Sequence, residues 1–105
     1  SAPPLKDLIT SLDVNSVLVA SQNQVSADLS SDADRGVVIL NLKDGVYYEL
    51  KDVGARIWNL IQQPYSIQSI KNRLIEEYEV DAEQCEVDLL ALVEHLARLG
   101  LIQVK

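Results

Sequence analysis

The chain has 105 residues, of which 48% are hydrophobic and 24% charged, with a net charge of −7. That length suits one domain with a modest core, and the composition is that of a folded chain rather than a disordered one. The negative balance disfavours nucleic acid and anionic membranes, both of which are held mainly by Lys and Arg.

One cysteine, Cys85, and one histidine, His95, leave neither an internal disulfide nor an ordinary zinc site within the chain. A single unpaired cysteine makes a cytoplasmic setting the expectation. No apolar run approaches the ~20 residues of a transmembrane helix. The start, SAPPLKDLIT, lacks the basic and apolar regions of a signal peptide.

Residues 1–15 read as a flexible N-terminal arm, and 16–105 as the folded domain. Pro3 and Pro4 oppose early regular structure. Leu5, Leu8, Ile9 and Leu12 then fall at helical spacing, which allows a short turn that orders only by docking. SVLVA (16–20) and QVSADL (24–29), joined by SQNQ, read as a small hairpin. Ser30 to Arg35 is a polar, acidic loop. GVVILNL (36–42) is the strongest strand signal, and the Asp44–Gly45 turn returns the chain as VYYEL (46–50), a second hairpin.

Helices follow. Asp52 is placed to cap the first, whose apolar face is Leu50, Val53, Ile57, Leu60 and Ile61 with Trp58 beside it, and Pro64 ends it. Ser66 caps the second, with Ile67, Ile70, Leu74, Ile75 and Tyr78 on its face. Asp81 opens the third, with Gln84 in the capping-box position, and Gly100 closes it. LIQV ends the chain as a possible short strand. Strands first and helices after predict an α+β fold: a small antiparallel β-sheet followed by three α-helices, winged helix-turn-helix-like.

No catalytic constellation is present: there is no phosphate loop, nucleophile motif or metal spacing, so neither catalytic residues nor a cofactor is expected. The third helix carries two apolar stripes. Cys85, Leu89, Leu92, Leu96 and Leu99 form one, and Leu90, Val93 and Ala97 a second, rotated by about 100°. Either the domain wraps this helix on two sides, or the second stripe lines a groove for an apolar partner. A small sheet also leaves an unpaired edge, which is a template for strand addition. Along the last hairpin strand Val46, Tyr48 and Leu50 share one face and Tyr47 and Glu49 the other, and one set must meet the core.

From Leu74 to Ala97 there are eight acids and no Lys or Arg. This is a solvated face, and it tells against a DNA-reading recognition helix, which must approach phosphates. Cys85 reads as a buried small hydrophobe and His95 as a surface residue. Asp88 has two candidate partners, Arg56 or a ligand backbone.

The segment VVILNLKDGVYYELKDVGARIWNLI, with the later SIQSIKNRLIEEYEVDAEQCEVDLLALVEHLARLGLI, resembles the PqqD-like family from Ser16 to Val104. The pattern is apolar and diffuse, but its order and spacing match throughout. The resemblance implies a non-enzymatic domain that binds the leader of a ribosomally made precursor peptide and presents it to a maturation enzyme. The long polar stretch before GVVILNL is similar to free-standing versions in lasso-peptide pathways, whose partner is a leader protease.

Carried over by motif, the resemblance places the leader as an added strand on the last hairpin strand, against the third helix. The implied peptide-binding residues are Val46, Tyr47, Tyr48, Glu49 and Leu50, with Glu86, Leu90, Val93 and Ala97. On this assignment Val93→Asp weakens binding and spares the fold. The alternatives are a winged-helix DNA-binding regulator and a scaffolding subunit of a maturation enzyme. The oligomeric state is expected to be a monomer or a weak homodimer through the open edge.

Overall fold

The strand that read most strongly in the sequence organises one of two small sheets. In this computed structural model, which describes residues 12–29 and 36–105, strand β3 (Gly36–Asn41) lies between β2 (Gln24–Asp28) and β4 (Tyr47–Lys51). Val37, Ile39 and Asn41 of β3 are buried, while Val38 and Leu40 alternate to the other face. The turn into β4 uses Gly45 at φ 70°, a conformation that glycine adopts at no steric cost. The Asp44 carboxylate accepts from the Val46 N–H at 2.8 Å and stiffens that turn. The expected helical turn from Leu5 and the loop Ser30 to Arg35 lie outside the described residues, Leu12 excepted.

The first hairpin does not form. Strand β1 (Val17–Ala20) pairs antiparallel with β5 (Tyr65–Ser66) on one side and β6 (Ile102–Val104) on the other, whereas β2 pairs with β3. The reason is burial. Leu18 is fully buried at the centre of its sheet, which needs a partner on both edges, and SQNQ carries the chain from one sheet to the other instead of folding it back. Ser21 N–H donates to Leu101 O at 2.8 Å at that crossing. Leu12 and Val14, assigned to the arm from sequence, pack against the core, and Val14 O accepts from Gln68 N–H.

Helix α1 (Val53–Leu60) buries Ala55, Ile57 and Trp58. Asp52 does not cap it: its side chain makes no capping bond and its φ is 52°. Helix α2 (Ile67–Glu77) starts as expected, with the Ser66 hydroxyl accepting from Ser69 N–H, and buries Ile67, Ile70 and Leu74. Helix α3 (Ala82–Arg98) starts at Asp81, whose carboxylate accepts from Gln84 N–H at 2.9 Å. The reciprocal half of the capping box is absent, because the Gln84 amide reaches Asp88 instead.

At its end Leu101 N–H returns to Leu96 O and Gly100 N–H to Ala97 O, with Gly100 at φ 76°. This paired closure turns the chain sharply enough to lay β6 on β1. The three helices and the inner faces of both sheets share one core that includes Leu18, Ile39, Trp58, Ile70, Leu89 and Leu101. Among the described residues no helix is long and apolar enough to cross a membrane.

Candidate peptide-binding site

The β2-β3-β4 sheet ends at β4, which has no second strand neighbour among the described residues. The direction of its backbone groups follows from the ladder. Asn41 N–H donates to Val46 O at 3.0 Å, and β3 and β4 pair Ile39 with Tyr48 and Val37 with Leu50. Antiparallel pairs alternate between bonded and non-bonded, so Tyr48 and Leu50 exchange bonds with β3. The N–H and C=O of Tyr47 and Glu49 therefore point outward, at the spacing an incoming antiparallel strand requires.

The side chains divide by face as the alternation demands. Tyr48 and Leu50 are half-buried against the core, whereas Tyr47 and Glu49 are exposed on the outer face. Val46 precedes the strand and is exposed. Burial raises the pKa of the Tyr48 phenol, and its hydrogen bond to Asp44 at 3.1 Å adds to the shift.

Two anchors hold the β3–β4 hairpin, one to the end of α3 and one to α1. At its start, buried Asn41 donates from Nδ2 to Leu99 O at 2.9 Å, tying the hairpin turn to the end of α3. At its finish, Gly54 brings the first turn of α1 against Leu50, where a Cβ built on the glycine would stand 3.5 Å from the leucine Cβ. The start of β4 thus lies near the end of α3. Its finish lies by α1, which shares a cleft with the opening turns of α3.

That cleft has a volume of about 430 Å³. Its walls are mostly apolar, from Val53 and Ile57 of α1, Leu74 of α2 with Tyr78 just past its end, and Leu89 and Leu92 of α3. Gln84, Asp88 and Asp81 are its polar lining. Arg56 does not pair with Asp88. It makes a two-pronged contact with Glu77 at 2.8 and 2.9 Å, beside a second, polar cleft.

Glu86, Leu90, Val93 and Ala97, the α3 residues expected from sequence at the groove, do not line this cleft. Glu86 pairs with Lys71 of α2 at 3.0 Å, so the helix side that carries Glu86 is covered there by α2. Val93 is 1% exposed and belongs to the core; its assignment as a groove residue with a harmless Val93→Asp change is corrected accordingly. Leu90 and Ala97 are half-buried against the same core. Asp88 stands ~200° around the helix from Glu86. The α3 residues that line the cleft beside α1 are Gln84, Asp88 and Leu92. The sequence places Leu92 in the first stripe and gives Asp88 either Arg56 or a ligand backbone, and nothing in the spacing says which neighbour covers which side.

Cys85 is buried in the floor, and desolvation pushes its thiol pKa up. Among the described residues no three His, Cys, Asp or Glu side chains cluster to hold a metal ion.

Three comparisons bear on this geometry. The family model described as Coenzyme PQQ synthesis protein D (PqqD) matches residues 36–102. A solved structure, TbiB1 in complex with the TbiA(beta) leader peptide, is 34% identical with a TM-score of 0.71, over 81% of this chain and 94% of that one. No curated protein sequence matches. Since the family match runs unbroken from the first residue of β3 through all three helices, the chain belongs to the PqqD family.

Proposed function

We propose that this chain is an adaptor, with no chemistry of its own, that binds the leader of a ribosomally synthesised precursor peptide by strand addition. The carrying observation is the outward-facing backbone of Tyr47 and Glu49 on β4, whose outer edge has no strand partner among the described residues, with an apolar cleft beyond its finish at α1. A leader adding here makes main-chain bonds to β4 and turns alternate side chains toward Leu92 and the cleft. Each apolar side chain fully buried there contributes about 1.5–3 kcal/mol before ordering costs. The likeness to TbiB1, solved with a leader peptide, supports the same ligand class.

The adaptor holds the leader while its remaining chain reaches a maturation enzyme. The partner favoured by the family resemblance is a leader protease of a lasso-peptide pathway. Calorimetry with a synthetic leader from a precursor encoded beside this gene tests the binding step. One-to-one binding with the largest amide shifts at Tyr47 and Glu49 is expected. Absence of heat and of amide shifts at millimolar peptide rejects it. Co-purification of the neighbouring protease with the adaptor tests the second step, and a protease that processes the precursor equally well without the adaptor rejects it.

A further inference from the structure

The cleft between α1, α2 and α3 is apolar in its walls and negative at two points. Its lining holds two carboxylates, Asp81 and Asp88, and no Lys, Arg or His. Each carboxylate is fixed in place. Asp81 accepts from Gln84 N–H and Asp88 from the Gln84 side-chain amide, both at 2.9 Å. Neither hydrogen bond brings a positive charge.

The described ion pairs all lie elsewhere: Arg56 and Arg73 on Glu77, Lys71 on Glu86, Arg98 on Glu94, Lys51 on Glu49. Within the described residues, then, the charge at the cleft is left uncompensated, in a molecule whose net charge is already −7. Both carboxylates are exposed, so their attraction acts at short range and weakens with salt.

We infer that the peptide taken by this cleft is amphipathic in a defined way: an aromatic or branched aliphatic side chain fills it, and a Lys or Arg close by in the peptide meets Asp88 and Asp81. This rests on the leader-binding reading and adds a charge requirement to it. The requirement selects among leaders of equal hydrophobicity, since a leader with an acid at the same point would face two carboxylates. It also raises the association rate at low salt.

The test uses a random dodecapeptide library displayed on phage, selected in parallel on the full chain and on Asp88→Lys. Asp88 is exposed, so the variant is expected to fold; Asp88→Asn, checked by circular dichroism, is the second variant. Peptides selected on the unmodified chain are expected to carry Lys or Arg at a fixed spacing from a large apolar residue. Those selected on Asp88→Lys are expected to carry Asp or Glu there.

A synthetic winner should bind Asp88→Lys about three- to tenfold more weakly, the range expected for reversing one rim charge. Its Lys-to-Glu partner should recover that loss. Winners of the same charge on both proteins overturn the inference and leave leader binding standing, because Asp88 then accepts a backbone N–H or nothing. No enrichment on either protein overturns the leader-binding reading and the inference with it.

Discussion

The Asn41 side chain links the start of β4 to the end of α3. Its Nδ2 donates to Leu99 O at 2.9 Å and its Oδ1 accepts from Lys43 N–H at 3.0 Å, so one buried amide holds both the turn and the helix end. Asn41→Ala leaves the part-buried Leu99 carbonyl and the Lys43 N–H without these partners. The expected cost is about 1–3 kcal/mol of stability. A groove anchored at one end only should also bind leader more weakly. Denaturant melts and calorimetry on the same variant check both; an unchanged midpoint would show that water replaces the amide at no cost.

Strand addition makes a directional claim about β4. The Glu49 N–H faces the open edge, while the Tyr48 N–H lies on the β3 side. Glu49→Pro removes a donor that the ladder does not use, and edge strands tolerate proline. The fold should survive while leader affinity falls by at least about tenfold, from one lost main-chain bond and the ring in its place. Tyr48→Pro breaks the ladder itself and should lower the melting temperature. Equal leader affinity in Glu49→Pro and the parent would exclude pairing at that edge.

Much of this fold is legible along the chain because local chemistry and tertiary need agree. Ser66, Asp81 and Gly100 cap their helices where the sequence places them, and GVVILN with Asp44–Gly45 makes the hairpin that carries the proposed site. The first hairpin fails because β-propensity marks a strand and not its partner. Strand β1 is completed by residues 65–66 and 102–104, both distant in sequence. Which side of α3 borders the cleft is not legible for a related reason. Both sides of the helix are apolar enough to be covered, and only the packing of α2 over Glu86 and of α1 near Asp88 separates them.

That separation can be measured with adjacent residues. Leu92 is half-buried at the cleft and Val93 is in the core. Leu92→Gln should keep a cooperative melt and weaken leader binding about tenfold, the loss of part of one apolar contact. Val93→Asp puts an unpaired charge in the core and should abolish the cooperative transition. A well-folded Val93→Asp with reduced binding would return the groove to the other stripe.

Arg56 and Glu77 give the domain an acid-sensitive tie between α1 and the end of α2. Hydrogen bonding to Arg56 holds the Glu77 carboxyl below the ordinary glutamate range, with Arg73 assisting. A depressed folded pKa means the unfolded chain takes up the proton first. The stabilisation is therefore complete above the ordinary value and is lost as pH falls through the lower folded one. Glu77→Gln should lower the melting temperature at pH 7 and have a progressively smaller effect in acid, below about pH 4.5. A deficit that persists undiminished at pH 2 would assign the effect to packing.

Asp52 joins β4 to α1 with φ 52° and ψ −117°, a region that a side chain disfavours and glycine enters freely. Its carboxylate makes no capping bond that would offset the strain. Such a conformation costs on the order of 1–3 kcal/mol, while the extra freedom glycine gives the unfolded chain costs about 0.4–1 kcal/mol. Strain outweighs that added freedom, so Asp52→Gly should stabilise the domain by about 1 kcal/mol, or roughly 4–8 °C in a domain of this size. Asp52→Ala keeps the Cβ and should give no such gain. Urea melts of the pair decide the matter, and a glycine variant no more stable than the alanine one would place the origin of this turn in contacts other than backbone strain.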